Sequence, residues 1–429
     1  MQASPMTTTP GSHMIRRSWI GLSKTCLLIT LLWSGEVCFA ADTSQIARQL
    51  AHEAIIVDTH IDTPYRLHKK MADISQATET GKFDLPRARD GGLDVIFMSI
   101  YTPANLETQQ PKGAAREHAN NLMALTRRIA AEHPDAFAMA TCVSDIYRNK
   151  EKGLVSFAMG MENGSPIEGE LSNLDTYRIQ GIRYITLAHS KSNHVSDSSY
   201  DENEPWEGLS PFGRKVVPYM NTRGIMIDIS HLSDRAAWQV LKLSKAPVIA
   251  SHSSLRHFVP GFHRNMTDDM FRALAKNGGV LQINFGSGFV TAKAREWTNN
   301  RTRALKDYKV NLQLADDAPE IQSFLKQYAL DNPYPFARLS DVLDHFDRAV
   351  DLAGVDYVGV GSDFDGVGDT LPVGLKDVSA YPNLIRGLLE RGYNKNDIFK
   401  LLGGNLLRVW EAVEAHATAQ GYHPLCTQS

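Results

Sequence analysis

Basic charge is not in excess in this sequence. The 45 Lys and Arg stand against 48 Asp and Glu, so no surplus of cations exists to displace counterions from a phosphate backbone. Nucleic acid is thereby excluded as a partner. Cysteine is scarce too: 4 occur in 429 residues, and none forms a Cys-x-x-Cys pair. Neither a disulfide framework nor a thiolate zinc site is written into the chain. No apolar run is long enough to cross a bilayer comfortably, and no repeat, low-complexity tract or Pro/Gly-rich linker marks a second domain. What remains, 43% hydrophobic and 22% charged residues, is the composition of a globular protein large enough to bury a sizeable core.

The first 40 residues differ from the rest. Arg16, Arg17 and Lys24 precede an apolar run from Thr25 to Gly35, and Cys38-Phe39-Ala40 sets small residues before Ala41. This is the pattern of a secretory signal peptide cut near Ala40-Ala41, and the expected location is exported, periplasmic or secreted. A start-anchor helix is the competing reading. Ser34-Gly35-Glu36-Val37 makes a poor lipobox, because Glu36 interrupts the apolar run. Without the leader the chain keeps 42 basic and 47 acidic residues, the 45 and 48 of the whole less three and one. It is then mildly acidic, with no stable membrane span expected. It also keeps two cysteines, Cys142 and Cys426, which leave open one long-range disulfide or two free thiols.

Beyond Ile46, short β-branched runs alternate with amphipathic stretches. Strands are expected at Ile55–Val57, Val95–Ile100, Val155–Met159, Tyr184–Leu187, Met226–Ile229, Val248–Ala250, Val280–Ile283 and Val358–Val360. Helical patterns such as Ala114–Glu132, Pro211–Thr222 and Ala236–Leu243 lie between them. Eight strands alternating with helices predict an α/β fold, a (β/α)8 TIM-type barrel formed by residues 41–429 as one domain. The polar stretch 289–339, after the seventh strand, is too long for an ordinary loop and predicts a helical cap. The stretch Asn383–Ala417 predicts two helices against the outside of the barrel.

Chemistry-bearing residues follow the strands in order: His60 and Asp62, then Glu162, His189, His231, His252 and Asp363. In such barrels the C-terminal strand ends converge on one rim, where catalytic residues gather. His60 and Asp62, two apart, point the same way and can share an ion. Imidazole and carboxylate donors without cysteine suit catalytic zinc. His231 and His252 suit a second ion, and Glu162 is the carboxylate placed to bridge the pair. A water held between the ions would yield a hydroxide nucleophile, with Asp363 as proton shuttle. Asp365 is expected to be structural, and Gly366 to allow a tight turn. The segment Gly361–Gly366 fails as a calcium loop, and neither an H-E-x-x-H helix, a dinucleotide loop nor a G-x-S-x-G elbow is present.

Many segments together resemble the membrane (renal) dipeptidase family of zinc metallopeptidases. They include Val57–Asp62, Gly160–Gly164, Arg183–His189, Gly208–Gly213, Ile227–His231, Ser251–Ser254, Arg264-Asn265, Gly361–Gly366 and Asn405–Val409. The resemblance implies two Zn2+ per chain: His60, Asp62 and Glu162 on one, Glu162, His231 and His252 on the other. It further implies that His189 polarises the scissile carbonyl, Arg264 pairs with the substrate's terminal carboxylate, and Asp363 engages the free amine and shuttles a proton. The expected substrate is a free dipeptide, including those with a C-terminal D-residue, and a homodimer is the candidate assembly. Three departures bear on specificity: Gly286 stands where animal members carry tyrosine, His263 where they carry arginine, and the 289–339 insertion is longer than in the animal enzymes. Two other readings compete. One is a different amidohydrolase-type reaction on a lactone or phosphotriester, against which Asp62 and Glu162 stand where H-x-H and a carboxylated lysine are usual. The other is a non-catalytic exported binding protein, against which the full ligand set argues.

Overall fold

The computed structural model describes residues 43–108 and 111–427; the leader pattern lies outside the described residues. Nine strands form one parallel sheet: β1 (Ile56–Ile61), β2 (Leu93–Tyr101), β3 (Phe137–Met139), β4 (Val155–Glu162), β5 (Ile182–Thr186), β6 (Met226–Asp228), β7 (Ile249–Ser253), β8 (Val280–Ile283) and β9 (Val358–Val360). All eight expected strands are present. The unforeseen one, β3, pairs with the first half of β4, an edge that β5 leaves open because its own pairing starts at Met159.

Eight strands in the order β1-β2-β4-β5-β6-β7-β8-β9 wind into the barrel. Closure comes just past the strand ends, where Asp62 N donates to Phe364 O (2.9 Å) and Asp363 N to His60 O (3.1 Å). The buried Asp58 carboxylate reinforces it, accepting from His60 N and, across the seam, from Ser362 N.

Strand residues alternate between two apolar layers, as the period of two requires. Ile96, Met98, Phe157 and Ile185 face the helices. Val57, Phe97, Ala158, Tyr184, Met226 and Val280 form the barrel's inner filling with Leu406, Val409, Trp410 and Val413. The helix Asn405–Thr418, expected on the outer wall, thus turns its apolar face into the N-terminal mouth and plugs it. Trp410, Phe97 and Tyr184 succeed one another at 5.3 Å ring spacings, and Tyr184 reaches His60 at the top of the barrel.

After β8 comes the expected cap, with helices Ala292–Leu312 and Glu320–Asp331. These two bury almost nothing in the barrel core and hold together through Tyr308–Phe324 and Trp297–Tyr328 ring contacts. At the other end of the molecule, Cys142 and Cys426 are joined as a disulfide. The tail around it is held by Arg183, which donates to Leu425 O, and by Asp145, which accepts from Thr427 N.

Candidate metal centre

Every side chain singled out after a strand reaches the C-terminal rim. Glu162, the last residue of β4, lies at the middle. Its Oε2 is 3.4 Å from His60 Nε2; its Oε1 is 3.1 Å from His231 Nε2 and 3.3 Å from both His252 Nε2 and His189 Nε2. Asp62 Oδ2 is 3.5 Å from His60 Nε2. Three donor clusters result: His60-Asp62-Asp363, His60-Glu162-His252 and Glu162-His189-His231. Glu162 therefore does face both halves of the set, one oxygen toward each. His189 and Asp363 come within the same envelope as the five expected ligands.

The hydrogen bonds behind the rings fix which nitrogen is bare. Tyr184 Oη donates to Thr59 O (3.0 Å), so it accepts from His60 Nδ1 (2.8 Å). Ser251 Oγ donates to Asp228 Oδ2 (2.6 Å), so it accepts from His252 Nδ1 (2.8 Å). Both histidines then present Nε2 as a lone pair inward, the tautomer a metal takes. His60 Nε2, buried and without a hydrogen-bond partner, faces carboxylate oxygens. Lone pairs opposed in this way repel unless a cation lies among them, and nitrogen and oxygen donors of this kind fit zinc. Burial, with Arg264 and neighbouring imidazoles, holds His231 and His252 well below the ordinary histidine range, so both stay neutral and able to donate.

Asp363 is held by Asn284, whose amide donates to Oδ2 (2.7 Å) and leaves Oδ1 uncommitted. Burial, then the charges of Asp62 and Glu162, push its carboxyl up to about 8. Asp365 is structural as expected, accepting from Thr63 Oγ1, Arg66 Nε and Lys82 N. Gly366 has a sharper role than a turn: a Cβ there would collide with Asp363 Oδ1 and Asp62 Oδ2. Arg264 is buried, with Nη1 on Ser253 Oγ and Nη2 on His252 O (both 2.6 Å), while Nε has no partner and no carboxylate among the described residues lies within 4.0 Å. A Cβ at Gly286 would already lie 2.9 Å from Val367 and 3.0 Å from Phe289, so those side chains fill the space beside it. His263 is exposed and turns to Asp234, 3.4 Å away.

Two features were not read from the sequence. Tyr184 and Asp228 were never singled out, although both lie on predicted strands; their roles depend on partners across the barrel. Backbone strain was the other. Asn163, His231, Asp363 and Asp365 all have φ between +63° and +90°, a region that non-glycine residues enter at a cost, and all four lie at strand ends around the site.

A cavity of about 780 Å³ opens onto this centre, lined by Asp62, Glu162, His189, His231 and Asp363 below and by Arg295, Trp297, Thr298, Arg301 and Tyr334 of the cap above. His189 is 18% exposed, against 0–10% for the side chains of His60, Asp62, Glu162, His231 and His252, so it is the most open of these imidazoles to a ligand in the cavity.

A parallel barrel with such donors at its strand ends defines a metal-dependent hydrolase. Residues 44–422 match the model of the membrane dipeptidase family (Peptidase family M19), and the chain belongs to that family. It is 32% identical over 384 residues to an uncharacterized dipeptidase of Schizosaccharomyces pombe, covering 86% of this chain and 82% of that one. Dipeptidase 3 of Mus musculus is 30% identical over 377 residues, with 86% and 66% covered. Among solved structures, the probable dipeptidase PvdM from Pseudomonas aeruginosa aligns with a TM-score of 0.77 at 27% identity, over 88% of this chain and 100% of that one.

Proposed function

We propose that this protein is an exported, zinc-dependent dipeptidase that cleaves free dipeptides, including those ending in a D-residue. The observation that carries the reading is Glu162, whose two oxygens face separate imidazoles around inward Nε2 lone pairs. His60, Asp62 and Glu162 would hold one zinc, and Glu162, His231 and His252 the other. When bound, the pair supplies Lewis acidity and a water acidified enough to act as nucleophile near neutral pH. The chain's own groups do the rest. Arg264, buried and without a counter-ion, pairs with the terminal carboxylate in a bidentate fork. His189 Nε2 hydrogen-bonds the scissile carbonyl oxygen as charge develops there. Asp363, held at Oδ2 by Asn284, uses Oδ1 to engage the free amine and to pass the water's proton to the leaving nitrogen as the C–N bond breaks. Two anchors at fixed separation favour a dipeptide over a longer chain. The Cys142–Cys426 disulfide supports export to an oxidising compartment.

The test is a metal assay joined to a substrate panel. Zinc-loaded protein should carry about two ions per chain and hydrolyse Gly-D-Ala and L-Ala-L-Ala but no lactone. Glu162→Gln should lose activity and at least one ion. Full activity in metal-free protein would refute the reading.

A further inference from the structure

Cations around the mouth of the catalytic cavity outnumber their partners. Arg66 is taken up by Asp365 at 2.9 Å. Arg295 and Arg301, on the cap helix Ala292–Leu312, have neither a carboxylate within 4.0 Å nor a side-chain hydrogen bond among the described residues. Their spacing, with Thr298 between them at i+3, sets all three along one helix face, and all three line the cavity.

Arg295 is the unusual one. Its guanidinium is half-buried and stacks 3.9 Å from the Phe262 ring centre, so part of its hydration is gone and no anion has replaced it. Desolvation lowers its pKa, the sign of a charge held at a cost. Its place relative to the carboxylate anchor follows from a short aromatic stack. Arg264 lies over Phe289 (5.4 Å), Phe289 meets Phe262 edge-on (5.4 Å), and Arg295 covers Phe262. Tyr200, which also lines the cavity, is acted on electrostatically by both arginines. Arg295 and the group assigned to the substrate's C-terminal carboxylate thus flank the same pair of rings, Phe289 and Phe262, and both act on Tyr200.

We propose that Arg295, backed by Arg301, is an anion-binding locus for the side chain of the substrate's C-terminal residue, so that preferred substrates are dipeptides ending in aspartate or glutamate. The inference rests on the dipeptidase reading. A neutral side chain of the same shape leaves Arg295 unpaired inside the occupied cavity, whereas a carboxylate pairs with it. An arginine that served only packing would discriminate between no two isosteric substrates.

The experiment compares kcat/KM of the zinc-loaded full chain for Ala-D-Glu, Ala-D-Gln, Ala-L-Glu and Ala-L-Gln. Wild type should favour Glu over Gln by about tenfold or more in at least one stereochemical pair, as expected for one charge-assisted hydrogen bond. Arg295→Gln should abolish that preference, read as the Glu/Gln ratio of kcat/KM, and Arg301→Gln should reduce it. Equal rates for Glu and Gln in wild type, or a preference that survives in the R295Q/R301Q double variant, would overturn the proposal. If no dipeptide is cleaved, the parent reading fails instead. Calorimetric titration of the same four peptides then decides the locus alone: tighter Glu binding in wild type but not in Arg295→Gln upholds it, and equal binding overturns it.

Discussion

Tyr184 is fully buried behind His60, yet it decides which nitrogen that imidazole turns inward. Its hydroxyl holds the proton on His60 Nδ1 and so keeps Nε2 bare; Ser251 and Asp228 do the same for His252. Partners of this kind typically contribute 10–100-fold to metal affinity. Tyr184→Phe should therefore weaken zinc binding by about that factor in a chelator competition, with the fold retained. Gly366→Ala should be harsher, since the added carbon takes the space of two carboxylates; metal content measured after dialysis is the readout. Away from the site, His345 accepts from Leu255 N at Nδ1 and donates to Val290 O from Nε2, so it must be neutral. Burial pushes its pKa down to about 4. The folded value lies below the unfolded one, so its contribution is intact above pH 6.5 and is lost as pH falls toward 4, by about 3 kcal/mol at most. His345→Gln can make both hydrogen bonds without titrating. Its stability relative to wild type should rise across that window in denaturant titrations of metal-free protein.

At the scale of elements, the strands were legible as short apolar runs between helical patterns, and six of the eight expected ones carry a chemical residue at the end. Glu162, His189, His231 and His252 all follow that rule, and all meet. The last helix was misplaced for a definable reason. Its apolar stripe of Leu406, Val409, Trp410 and Val413 is what any surface helix presents, and only the barrel's open lower mouth decides which wall receives it. β3 has three residues, too few for a periodic signal. The positive φ values of His231 and Asp363 leave no trace in the sequence either, because histidine and aspartate enter the left-handed region only occasionally and nothing local marks where they do. Trp410→Ala should cost about 3–5 kcal/mol in denaturant unfolding, the range for emptying a large aromatic site in a core. The same change should loosen Phe97 and Tyr184 above it and lower zinc affinity as well, linking the plug to the metal.

At the largest scale, the unit that begins at Ser44 is a barrel with working ends. The upper carries chemistry and the cap, the lower is stoppered, and a disulfide across 284 residues of sequence fastens the tail beside it. Breaking that link, by Cys142→Ser or by reduction, should lower stability by about 2–5 kcal/mol, seen as a fall in Tm on adding dithiothreitol. The bond also makes a covalent ring of everything from β4 to the final helix. The exposed 313–319 turn of the cap lies within that ring. A protease that cuts there would release nothing. The nicked protein would run as one species on a non-reducing gel and as two after reduction, and Asp363 on the C-terminal piece would stay tethered to the piece that carries His60, Asp62, Glu162, His231 and His252.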